Sequence, residues 1–89
     1  MRLSQEKKDR ITEQILSYLY HVFPKNPFTA EIAKEVARDE EFIKRLLFEL
    51  KEKELILAIR KNKKGESFSR RIKWRLSRKV YDVYDSKTN

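Results

Sequence analysis

The hydrophobic period of this chain changes after Lys53, and that change limits it to folds in which helices pack against a β-hairpin. Before it, apolar residues recur at helical spacing; after it, they fall into strand-like runs. Ile11, Ile15, Leu19 and Val22 form one stripe, widened by Leu16, Tyr20 and Phe23, and predict a helix over 4–23 with Ser4 as its N-cap. Pro24 ends it, because proline donates no backbone hydrogen bond and clashes with the preceding turn. Pro24 to Pro27 read as a connector, and Phe28 as a buried anchor in a very short extended piece.

Thr29 is then the expected cap of a short helix over 30–37, with Ile32, Ala33 and Val36 turned inward. Asp39 caps the next helix, 40–53, and Glu40 and Glu41 in its first turn favour the positive end of the helix dipole. Ile43, Leu46, Leu47 and Leu50 mark its core face. Past Lys53, the run Leu55–Ile59 reads as a strand, and Lys61–Ser67, with the chain's one glycine, reads as a turn. The return strand, 68–76, has Phe68, Ile72, Trp74 and Leu76 on one face and Ser69, Arg71, Lys73 and Arg75 on the other. Trp74 is the expected core anchor. Ser77 caps a closing helix over 78–85, with Ser86 to Asn89 as a frayed tail. The fold class is therefore α+β, in one domain over 1–89.

Composition narrows the function. The chain has no cysteine, which excludes disulfides and cysteine-bound zinc. His21, its only histidine, has neither the companions of a metal site nor the partner of a general base, so no enzyme, metal or cofactor is expected, and His21 belongs on the surface. No apolar run approaches the ~20 residues of a membrane span, and Met1–Lys7 lacks a signal-peptide core, so the expected location is the cytoplasm.

The net charge is +8, and it is concentrated. From Arg60 to Lys79 the chain carries ten bases against one acid, Glu66; the rest holds twelve bases and thirteen acids. A hairpin that gathers so many cations is destabilised by their repulsion unless an anion docks there. Edge protection by lysine and arginine needs only two or three of them.

The residues from Phe28 to Asp39 and from Ile43 to Ile56, followed by Trp74-Arg75-Leu76-Ser77, resemble the winged helix-turn-helix family of bacterial and archaeal transcription regulators. The resemblance covers nearly the whole chain, though no single motif in it is diagnostic. It implies a three-helix core, a two-stranded β-hairpin wing and a short C-terminal helix, binding double-stranded DNA. Helix 40–53 becomes the recognition helix. With Ile43 facing the core, its outward residues include Lys44, Arg45, Phe48 and Lys51, the expected nucleic-acid contacts in a major groove. A solvated ionic face accounts for them nearly as well. Arg60, Lys61, Lys63, Lys64, Arg70, Arg71, Lys73 and Arg75 become wing contacts to phosphates or the minor groove. The resemblance also implies a homodimer through the first and last helices, with Tyr81, Val83 and Tyr84 as a candidate surface.

The sequence departs from the family pattern in three places. Ala37 and Glu54 stand where glycines are usual, so helix 40–53 is expected to end without the usual left-handed glycine cap. Glu40 and Glu41 open the recognition helix with carboxylates, which repel phosphate. Those acids and an outward Phe48 leave open a protein-interaction subunit of a larger assembly, and the wing charge alone does not separate DNA from RNA.

Overall fold

The computed structural model describes residues 5–60 and 72–88 of the chain. Within them the order is α1 (Gln5–Val22), α2 (Thr29–Glu35), α3 (Glu40–Glu52), β1 (Ile56–Ile59), β2 (Lys73–Leu76) and α4 (Arg78–Thr88). This is the order of helices and strands that the periodicity predicts and the arrangement that the family resemblance implies. The turn at 61–67, Phe68, Ser69 and Arg71 lie outside the described residues, as do the Ser4 cap and Asn89.

The core follows the helical stripes. Ile11, Ile15, Leu16 and Leu19 of α1 meet Ile32 and Ala33 of α2 and Ile43, Leu46, Leu47 and Leu50 of α3. Ile56, Trp74, Leu76 and Val80 close the same cluster from the sheet and α4. Burial of this apolar surface is the main force holding the elements together, at roughly 25 cal/mol per Å².

β1 and β2 pair antiparallel, with Ile56 opposite Leu76, Leu57 opposite Arg75, Ala58 opposite Trp74 and Ile59 opposite Lys73. Residues directly opposite share a face. Ile56, Ala58, Trp74 and Leu76 therefore line the inner face, and Leu57, Ile59, Lys73 and Arg75 the outer one. Phe28 adds a single antiparallel bridge to Lys73 on the free side of β2, and the Trp74 N–H donates to the Pro27 carbonyl at 3.0 Å. The short extended piece expected at Phe28 is thus present, although its ring is only half-buried.

Two caps match the expectation. Asp39 Oδ2 accepts from the Phe42 N–H at 3.1 Å, and Ser77 Oγ from the Val80 N–H at 3.4 Å. The cap of α2 does not. Thr29 lies inside the helix, and Phe28 takes the cap position, its N–H donating to Glu31 Oε1 at 3.1 Å. Thr29 is drawn inward because its hydroxyl has a buried partner, the Trp74 indole.

The helix ends add two findings. α3 ends without a glycine, as expected, yet its end is still left-handed: Glu54 has φ 62°, and Ala37 after α2 has φ 55°. At both ends the Schellman pair forms. Leu55 N–H donates to Leu50 O at 3.0 Å and Glu54 N–H to Lys51 O at 2.9 Å; Arg38 N–H donates to Ala33 O at 3.0 Å and Ala37 N–H to Lys34 O at 3.2 Å. The backbone needs of the turn outweigh the Cβ penalty. The expected frayed tail is also helical as far as Thr88. Tyr84 and Asp85 near the end of α4 are tied to α1, which carries the helix past residue 85.

Candidate nucleic-acid interface

The outer face of α3 carries Glu41, Lys44, Arg45 and Glu52, all exposed, with Lys51 half-buried beside them. Glu40 and Glu41 follow the Asp39 cap in the first turn and point to solvent. Their position at the positive end of the helix accounts for them as helix-start residues.

Phe48 departs from the expected exposed orientation. It is half-buried, with its ring edge-on to Trp74 at 5.4 Å between centroids and 85° between planes. Ala58 stands opposite Trp74 on the inner sheet face and is small, which leaves room for a side chain of α3 to reach the sheet. Arg60 also lies over the Phe48 ring, its guanidinium carbon 5.5 Å from the ring centre. Phe48 therefore joins α3 to the hairpin instead of presenting a free apolar surface.

This contact sets Arg60 beside α3. Arg45 and Lys44 precede Phe48 by three and four positions and Lys51 follows it by three, so all three flank it on the helix surface. Lys44, Arg45 and Lys51, with the acid Glu52 four positions past Phe48, thus flank the ring that Arg60 lies over, and none of the four cations forms an ion pair among the described residues. Elsewhere Lys8 binds Glu49 at 2.7 Å, Lys25 binds Glu31 at 3.1 Å and Arg78 approaches Asp82 at 3.5 Å.

The remaining described wing cations point differently. Lys73 and Arg75 lie on the outer face of the ribbon. Lys73 is half-buried, its ammonium 5.3 Å from the centre of the Phe28 ring. Arg75 is exposed and lines a groove with Phe23, Arg78, Tyr81 and Asp82, against α4 and away from α3. Lys61, Lys63, Lys64, Arg70 and Arg71 lie outside the described residues.

Glu31 ties the start of α2 to the connector. Its carboxyl is held below the ordinary range first by the Phe28 N–H and then by the Lys25 ammonium, which is itself raised mainly by its hydrogen bond to Glu31. His21 is exposed, and its Nδ1 lies 2.8 Å from the Ser17 carbonyl. A carbonyl only accepts, so Nδ1 carries the proton.

Of the three residues expected at a dimer surface, Tyr81 and Tyr84 are already engaged within the chain. The rings of Tyr81 and Tyr84 lie 5.4 and 5.8 Å from Tyr20, and Tyr81 lies 4.6 Å from Phe23. Tyr84 Oη donates to Glu13 Oε2 at 3.2 Å, and Tyr20 Oη to Asp85 Oδ1 at 3.1 Å. Burial is the first cause raising the Tyr84 phenol above its ordinary value, followed by Glu13. Phe23 and Val83 remain open, at 47% and 48% exposure. No helix among the described residues is long and apolar enough to cross a membrane.

No protein-family model and no curated protein matches this sequence. Solved structures do resemble it. MepR, a transcription regulator of the Staphylococcus aureus multidrug efflux pump MepA, aligns with TM-score 0.66 at 23% identity, over 93% of this chain and 64% of MepR. MepR in an S. aureus MepR–DNA complex aligns with TM-score 0.68 at 22% identity, over 97% of this chain and 56% of that one. A variant of Lactococcus lactis ZitR aligns with TM-score 0.61 at 21% identity, over 85% and 49%. The chain thus spans 49–64% of these three proteins, and the likeness establishes its fold.

Proposed function

We propose that this chain is a duplex-DNA-binding module of a transcription regulator, with α3 entering the major groove and the hairpin resting on phosphates or in the minor groove. A shared fold alone does not carry function. The observation that carries it is the placing of Lys44, Arg45 and Lys51 on the outward side of α3 and of Arg60 just past β1 over Phe48, none of them in an ion pair among the described residues. In sequence, the segment 61–71 that joins the strands adds five bases against one acid. MepR, a protein of this fold, is known in complex with DNA, which supports DNA as the partner. The activity is binding, with no catalytic step. A homodimer through α1 and α4, using the exposed Phe23 and Val83, belongs to the same reading.

The test is duplex binding across a salt series. Each neutralised phosphate contributes a logarithmic slope of about −0.9, so binding through several of these cations falls steeply with salt. Changing Arg70, Arg71 and Lys73 to alanine flattens the slope if the wing takes part; an unchanged slope removes it. Parallel titrations with duplex RNA and single strands decide the class of nucleic acid.

Glu40 and Glu41 favour a second reading, a protein-interaction subunit. The packing of Phe48 onto Trp74 removes the other support for it. A stoichiometric protein partner, with duplex affinity no higher than that of an unrelated basic protein, would establish it instead.

A further inference from the structure

We propose that Phe48 is a positioning residue that holds Arg60 with its guanidinium edge turned outward beside α3, making Arg60 a phosphate clamp at the corner between helix and hairpin. The inference rests on the duplex-binding reading and specifies which cation anchors the corner and what aims it.

Three observations carry it. The guanidinium carbon of Arg60 lies 5.5 Å from the centre of the Phe48 ring. Phe48 is itself fixed, edge-on, against a tryptophan that is fully buried. Arg60 is exposed and forms no ion pair among the described residues. An arginine placed over an aromatic face offers that ring its own flat face and leaves its in-plane N–H donors available, the geometry that meets a phosphate bidentately. A side chain resting on a ring has fewer conformations to lose when an anion arrives, which lowers the entropy cost of binding. Lysine would supply the charge without the planar fork.

The chemistry separates Arg60 from Arg75, the other exposed arginine at the described end of the hairpin. Arg75 belongs to the outer ribbon face and neighbours Asp82 across a groove. Arg60 has an aromatic pedestal and cationic neighbours, Lys44, Arg45 and Lys51. A backbone phosphate beside a groove-bound α3 meets that combination of helix cations and one pre-aimed guanidinium.

The experiment is a double-mutant cycle on the full chain, using Arg60→Ala and Phe48→Leu, read as the salt dependence of binding to a mixed-sequence duplex. Arg60→Ala should reduce the magnitude of the slope by about 0.9, the share of one phosphate. Phe48→Leu leaves the net charge unchanged, yet should weaken binding about two- to fivefold, the factor that matches a cation–π contact. In the Arg60→Ala background it should have no further effect. Phe48→Tyr, which keeps the ring, should restore wild-type affinity. Thermal melting of each variant without DNA separates folding from positioning, and Phe48→Tyr keeps the test decisive should Phe48→Leu unfold.

Additive effects of the two substitutions, or a Phe48→Tyr variant as weak as Phe48→Leu, would overturn the proposal while leaving duplex binding intact. Absence of salt-sensitive duplex binding by the wild-type chain would overturn the functional reading itself and this proposal with it. The pedestal has its own readout in the free protein: ring-current shifts on the Arg60 side-chain protons that vanish in Phe48→Leu. Random-coil shifts there would overturn the positioning claim whatever the binding result.

Discussion

The indole N–H of Trp74 donates to the hydroxyl of Thr29 across 2.8 Å in the buried core, joining the second hairpin strand to the first residue of α2. Phe48 of α3 packs on the same indole, and the Trp74 backbone is bonded to Pro27. One residue, through its side chain and its backbone, thus aligns the connector, α2, α3 and the second hairpin strand. The bond also satisfies the polar atom that a fully buried tryptophan brings with it.

Thr29→Val is nearly isosteric and leaves the indole N–H unpaired, which costs about 1–3 kcal/mol. Urea denaturation should show that loss, and Thr29→Ser, which keeps the hydroxyl, should retain most of the hydrogen-bond contribution. Equal stability of Thr29→Val and wild type would mean the bond contributes nothing.

The left-handed positions Ala37 and Glu54 hold a strain that glycine relieves. The Cβ penalty there is about 1–2 kcal/mol, offset by the extra flexibility glycine adds to the unfolded chain. Ala37→Gly and Glu54→Gly should therefore each raise stability by about 0.5–1 kcal/mol. A lower melting temperature in both would contradict the turn geometry.

Glu31 gives the molecule an acid-side dependence. Its carboxyl is depressed in the folded state, so its stabilisation is fully present above its ordinary value of 4.5 and disappears as the pH falls through the folded value. Denaturation midpoints followed downward from neutral pH should show a decline below about 4.5 that is smaller in Glu31→Gln, which accepts from the Phe28 N–H without titrating. Identical acid limbs would assign the decline to other carboxylates.

Tyr81 lies against both Phe23 and Tyr20, and so fastens α4 to α1. Tyr81→Ala should cost about 2 kcal/mol, less than truncation of a fully buried ring, because Tyr81 is half-buried. Hydrogen exchange should then show α4 losing protection ahead of α1 and α3. Uniform loss across the three helices would show that α4 does not open separately.

Much of this fold was legible in the linear order of residues. Local rules act there: Asp39 and Ser77 cap α3 and α4 from the positions just before them, and Ile43, Leu46, Leu47 and Leu50 choose one side of a helix by spacing alone. Trp74 and Leu76 turn inward by strand alternation for the same reason. Clustering of charge between Arg60 and Lys79 is likewise a property of the sequence, needing no coordinates.

Contacts between distant residues decided the rest. Thr29 satisfies the local rule for a cap, yet a tryptophan 45 positions away takes its hydroxyl, and Glu31 supplies the cap bond instead. Phe48 falls on the outward side of an ideal helix, but the small Ala58 and the indole of Trp74 give it a place against the sheet. Arg60 and Arg75 are alike as hairpin cations in sequence, while the packing of the hairpin sets one over Phe48 of α3 and the other in the α4 groove. Spacing along a helix or strand fixes which side of that element a residue takes, because backbone geometry is local. What meets that side depends on how whole elements pack, and there the burial of one indole outweighs the preferences of the residues around it.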